Sequence, residues 1–184
     1  MKRSTRCLTA LAMVAAVAVA APPAASAHGG HGGYPGVAPA VDKKGLRAVK
    51  RATAKYRDPA AAVAAGYVAT DACASDPKLG GMGYHYANPA YLADGVIDPL
   101  RPEVLVYVPS GHGRKLGAVE YFQRDADQDV KTANDRPSVL GLPFDGPMPG
   151  HEPGMPVHYD KHLWLWKHNP AGKFTPFNPA VRCP

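Results

Sequence analysis

Apolar residues recur with two different periods along this chain. Between Asp42 and Arg57, Leu46, Val49, Thr53 and Tyr56 return every three or four positions, which is the stripe of one helix face, while lysines and arginines fill the other faces. Asp58-Pro59 then reads as an N-cap followed by proline at the first helical position. It opens a short alanine-rich helix over Pro59 to Ala65, which Gly66 ends. Further along, the period falls to two. Met82 to Ala87 predicts a strand with His85 pointing opposite to Tyr84 and Tyr86, stopped by Asn88-Pro89. Glu103–Val108 (E-V-L-V-Y-V) and Leu116–Phe122 (L-G-A-V-E-Y-F) predict a hairpin across P-S-G-H-G-R-K. Glu120 shares a face of the second strand with Leu116 and Ala118, where a carboxylate is costly unless paired, hydrogen-bonded or metal-bound.

The alternation is longest in Val157–His168, V-H-Y-D-K-H-L-W-L-W-K-H. As a strand over 157–167 it places His158, Asp160, His162, Trp164 and Trp166 on one face, with Val157, Tyr159, Lys161, Leu163 and Leu165 on the other. Two imidazoles, a carboxylate and two indoles on one face predict the wall of a polar or metal-binding pocket. Between the strands, 67–81 reads as loop with a short strand at Tyr67–Thr70, and the segment to Pro102 reads as turns. Phe144 to Pro156 holds too many prolines for helix or central strand. A long irregular segment of this kind suits a functional rim, and it delivers His151 and Glu152 just before the last strand. The fold expected is α+β: N-terminal helices packed on an antiparallel sheet of four or five strands.

The N-terminus adds a compartment. Lys2, Arg3 and Arg6 precede an apolar run from Cys7 to Ala21 and an Ala25-Ser26-Ala27 cleavage site, the pattern of a signal peptide over 1–27 and of a secreted, extracellular product. The apolar run is too short for a membrane span, and no transmembrane segment is expected. A flexible Gly/His/Pro leader over 28–41 and a single domain over 42–184 would follow. Cleavage lowers the formal charge from +6 to +3, so overall charge is poor evidence for a nucleic-acid partner, and none is expected. It would also expose His28 as an N-terminal residue whose amine and imidazole can chelate copper, with His31 close by. Cys73 and Cys183 remain, an even pair in an oxidising compartment, and are expected to form one disulfide closing a loop of about 110 residues.

With thiols consumed, an extracellular metal site must draw on imidazole and carboxylate. The ligand set expected is His85, Glu120, His162 and His158, with His151 in reserve, for a divalent ion such as zinc or copper. On one straight strand His158 and His162 stand roughly 13 Å apart, too far to share an ion, so His162 with His85 and Glu120 is the workable set. Neither H-E-x-x-H nor G-x-S-x-G is present, and no catalytic residue is singled out. Asp125-x-Asp127-x-Asp129 opens like a calcium loop, but Val130 and Arg136 stand where glycine and glutamate are required. The alternative is a non-catalytic binding module, in which Tyr84, Tyr86, Trp164 and Trp166 form an aromatic groove for a carbohydrate or cell-wall ligand. The basic residues of 43–57 could likewise meet an anionic wall polymer.

The stretches G-M-G-Y-H-Y-A-N-P (81–89), R-P-E-V-L-V-Y-V-P (101–109), A-V-E-Y-F (118–122) and H-Y-D-K-H-L-W-L-W-K-H-N-P-A-G-K-F (158–174) resemble a family of secreted bacterial proteins without an assigned activity. The resemblance continues into F-N-P-A-V-R-C and covers most of the mature chain. It implies that His85, Glu120 and His162 lie inside signature stretches, and it implies no mechanism.

Overall fold

The computed structural model describes residues 41–111 and 113–184. The expected signal peptide, and all of the leader except its last residue, lie outside the described residues, as do His28 and His31. The amphipathic stripe folds as α1 (Lys43–Thr53), capped by Asp42 and tightening into a 3-10 turn over Ala54–Arg57. Asp58 caps α2 (Pro59–Ala64) by accepting from the Ala60 amide at 2.9 Å. The same device recurs at Asn88-Pro89. Asn88 Oδ1 accepts from the Ala90 and Tyr91 amides and starts α3 (Pro89–Asp94), where the sequence suggested only turns.

The described residues form eight strands, in chain order β1 (Cys73–Asp76), β2 (Gly80–Ala87), β3 (Val104–Ser110), β4 (Gly113–Arg124), β5 (Ser138–Val139), β6 (Leu142–Pro143), β7 (Asp145–Met148) and β8 (His158–Leu163), with α3 between β2 and β3. Six of them form one antiparallel sheet in the order β1-β2-β3-β4-β8-β7, and β5 with β6 makes a separate small ladder. Within the six-stranded sheet, the two strands beyond the expected set, β1 and β7, are the edges. Pro147 is tolerated in β7 because an edge strand has a side with no ladder to serve, and the pairing of β7 with β8 is irregular there.

The β3–β4 hairpin is tighter than the sequence suggested, pairing out to Ser110 and Gly113. Within it Val106 faces Ala118 but Tyr107 faces Leu116, which leaves Gly117 as the extra residue of a bulge. A Cβ at Gly117 would lie 2.9 Å from a Val108 methyl and 3.2 Å from the Trp164 ring. This bulge also explains why the last strand is shorter than 157–167. The ladder stops at Leu163, and the Trp166 and Lys167 amides then both donate to the Gly117 carbonyl, while the Trp164 amide donates to Lys173. The indoles therefore do not extend the alternating face of β8.

The sheet has two unlike faces. One packs Leu105, Tyr107, Val119, Tyr121, Tyr159 and Leu163 against Val49, Tyr56, Ala62 and Tyr67 of the helical segment. Four tyrosine hydroxyls on this side donate to fixed acceptors: Tyr67 to the Pro102 carbonyl, Tyr107 to Tyr56, Tyr121 to Pro99 and Tyr159 to the Asp135 carboxylate, at 2.6–2.7 Å. The other face carries a smaller cluster of Val104, Val106, Val108, Ala118, Trp164 and Val181. The C-terminal segment is fastened to β2 by hydrogen bonds between Gly81 and Asn178, and by the disulfide Cys73–Cys183, whose Cα atoms are 5.6 Å apart. Among the described residues, no helix is long and apolar enough to cross a membrane.

Candidate metal centre

Strand register brings three of the expected ligands together on the second face. Glu120 of β4 is directly opposite His162 of β8, and opposite Val104 of β3 on its other side. His85 of β2 is opposite Val106, so it reaches Glu120 across β3, over two valines too short to block the approach. His85 Nε2 lies 3.3 Å and His162 Nε2 3.4 Å from the same oxygen, Glu120 Oε2. One ligand atom from each of the three residues fits within 4.8 Å of the others, a group that could hold a metal ion. The two rings meet edge to face, 6.0 Å between centroids. The site is sunk in the protein, with His162 at 1% and Glu120 at 9% side-chain exposure and His85 opening to solvent at 26%.

The three residues converge on one point, and the two histidine contacts to Glu120 are also of ion-pair length. Glu120 Oε2 is buried and has no hydrogen-bond partner among the described residues, although two imidazole nitrogens lie close to it. Tetrahedral zinc with bonds of about 2.0–2.1 Å sets its ligand atoms about 3.3–3.4 Å apart, and the two contacts to Oε2 have that length. The electrostatics point the same way. Burial pushes the Glu120 carboxyl well above the usual carboxylate range, and the nearby Asp160 and Glu103 add to it. Asp160 is itself 2% exposed and raised, first by burial and then by Asp145, with Lys161 opposing. Buried carboxylates that crowd one another in this way are relieved by a bound cation.

A cleft of about 640 Å³ reaches the cluster from the His85 and Glu120 side. Residues 151–156 of the proline-rich segment form one wall, and Met82, Leu92, Val104 and Phe122 supply apolar surface. The rim expected from the sequence is therefore present. His151 nevertheless stands with His158, ring centroids 5.3 Å apart, and not with the three ligands. His158 of the expected ligand set is likewise outside the cluster. It pairs in register with Arg124, stacks on Phe122 at 4.8 Å and has its Nδ1 3.0 Å from the Pro156 carbonyl. Four residues separate it from His162 along one strand, which at about 3.3 Å per residue holds the two apart.

The aromatic residues fall into two groups. Tyr84, Tyr86 and Trp166 belong to the helix-side cluster, and Trp164 belongs to the valine cluster on the other face. The Arg114 guanidinium covers the Tyr84 ring at 3.6 Å and donates to the Tyr86 hydroxyl, while the Trp164 indole N–H donates to Thr175. In the calcium-like stretch, Asp127 accepts from the Asp129 amide and the Thr132 hydroxyl, and Asp129 accepts from the Lys131 amide. Those carboxylates close local turns. Asp160, Glu103 and Phe122 were not singled out from the sequence, although the alternation of 157–167 already placed Asp160 beside His162. Comparison with protein-family models, with curated proteins and with solved structures returns no match.

Proposed function

We propose that this is an extracellular protein of the secreted family its signature stretches resemble, and that it binds one divalent metal ion through His85, Glu120 and His162. The observation that carries the reading is the convergence of two imidazole nitrogens, at 3.3 and 3.4 Å, on the single carboxylate oxygen Glu120 Oε2, with one ligand atom from each residue within 4.8 Å of the others. Zinc is the ion favoured, because two imidazoles and a carboxylate are a common zinc donor set and both contacts to Glu120 Oε2 have the ligand-to-ligand length of a tetrahedral zinc site. Three protein ligands leave a fourth position for water or a ligand, and the cleft at His85 and Glu120 gives access to it. His158 and His151 take no part.

The test is metal content by mass spectrometry on the mature protein, dialysed without chelator, beside His162→Ala. About one equivalent of metal in the wild type, lost in the variant, supports the site and names the ion. Absence of metal from both, with zinc and copper titrations showing only weak binding to a folded protein, overturns it.

A further inference from the structure

A second cleft, of about 780 Å³, lies between the end of the 3-10 turn, the β3–β4 hairpin and the chain leaving β8, and shares no lining residue with the first. Three cations from three separate segments line it: Arg57, Lys115 and Lys167. A fourth, Lys50, holds its Nζ 5.1 Å from the centre of the Trp166 ring, and the Arg57 guanidinium is 5.7 Å from the same ring. Trp166 is fixed in place. Its indole N–H donates to Thr53, which is fully buried, and its amide donates to Gly117 in the bulge. The indole thus gathers two cations beside two more, an arrangement that gains from the ring quadrupole but sets like charges close together. The acid in the wall, Asp58, already caps α2. Behind this wall α1 contributes five lysines and arginines and no acid.

We propose that this cleft binds a linear phosphate-bearing polyanion of the cell-wall type, a polyol or glycan phosphate chain, with Arg57, Lys115 and Lys167 supplying the countercharge. A guanidinium fork and ammonium point charges are the groups that hold phosphate. The cations line a concavity, which admits a chain between its walls and does not match the plane of a bilayer. Among the described residues, the large apolar side chains that are most exposed, Val63, Val68, Leu79, Val96, Leu100 and Val130, do not line it, so no protruding apolar side chain is offered there to anchor a membrane. Single-stranded nucleic acid is disfavoured because its bases need open aromatic faces, and the aromatic ring in this cleft, Trp166, carries Lys50 and Arg57. The proposal is independent of the metal site.

The test is titration of the whole mature protein with poly(glycerol phosphate), followed by calorimetry and tryptophan fluorescence over a range of salt, with neutral dextran, single-stranded DNA and anionic phospholipid vesicles as comparison probes. The expected result is binding of poly(glycerol phosphate) that weakens as salt rises, with dextran inert. Lys115→Gln with Lys167→Gln is expected to weaken it about tenfold or more at unchanged Tm. Lys43→Gln with Lys44→Gln removes the same charge outside the cleft and should change affinity by less than about twofold. Absence of binding at low salt overturns the proposal. So does an equal loss in both double variants, which would mean a diffuse field rather than a site, or tighter binding of DNA or vesicles than of the polymer.

Discussion

The same four strands, β2, β3, β4 and β8, build both faces of the sheet, yet the two faces treat their polar atoms in opposite ways. On the helix side, tyrosines bury their rings, and the hydroxyls of Tyr67, Tyr107, Tyr121 and Tyr159 each find a separate acceptor, in the Pro102, Tyr56 and Pro99 carbonyls and the Asp135 carboxylate. On the other side, His85, Glu120 and His162 turn their polar atoms toward a common point, and Asp160 is buried beside them. Dispersed, individually satisfied polar groups hold a fold together. Convergent ones raise the energy of the site unless a cation relieves them. Stability should therefore depend most on the first face and metal affinity only on the second.

The largest effect expected is from the disulfide, which ties down the C-terminal segment lying against β2. Cys73→Ser with Cys183→Ser opens a loop of 110 residues and should cost about 4–5 kcal/mol by chain entropy, read as a lower urea midpoint. Glu120→Gln separates the faces most directly. It should weaken zinc binding by about a hundredfold or more, roughly 3 kcal/mol, while leaving the metal-free protein as stable as before or more so. A marked fall in metal-free Tm would mean that the triad is a structural ion pair and would erase the contrast between the faces.

Glu103 is an exception on the tyrosine side: buried at 1% exposure, it accepts from the Phe122 amide and is pushed up to about 7, chiefly by burial. A carboxyl raised in the folded state favours folding while protonated. Its contribution is full below about pH 4.5 and is lost as pH rises through about 7. Stability should thus fall between about pH 5 and 8, by at most about 3 kcal/mol, and Glu103→Gln should flatten that slope in urea titrations across pH. The smallest effect is expected from Tyr107→Phe, which leaves the Tyr56 carbonyl without its donor. It should cost about 1–2 kcal/mol with zinc affinity unchanged. A shift in affinity there would show that the faces are coupled through β3.

The sequence made the alternating strands and the striped helix readable because their periods survive into the fold. The ligand set His85, Glu120 and His162 could be anticipated for the same reason: strand geometry forbids His158 and His162 from sharing an ion and leaves cross-strand partners as the way to complete a site. What failed was continuity. Trp164 and Trp166 keep the two-residue rhythm after the ladder has ended, because the amides that follow β8 bond to the Gly117 bulge rather than to a strand. That bulge depends on register between β3 and β4, which no local pattern encodes. The α3 helix was legible in principle, since Asn88-Pro89 is the same cap signature as Asp58-Pro59. Edge strands β1 and β7 are too short, at four residues each, to establish a period.

Those edges have a consequence for the behaviour of many copies together. A sheet that does not close into a barrel ends in two rows of amides and carbonyls that a neighbouring molecule could extend. Here each row is four residues long and broken by a register shift, and one is pinned by a covalent bridge while the other contains proline. An incoming strand would find too few aligned groups to nucleate upon. Crowded solutions of the protein should therefore resist fibril growth even though a six-stranded sheet lies at the centre of each molecule.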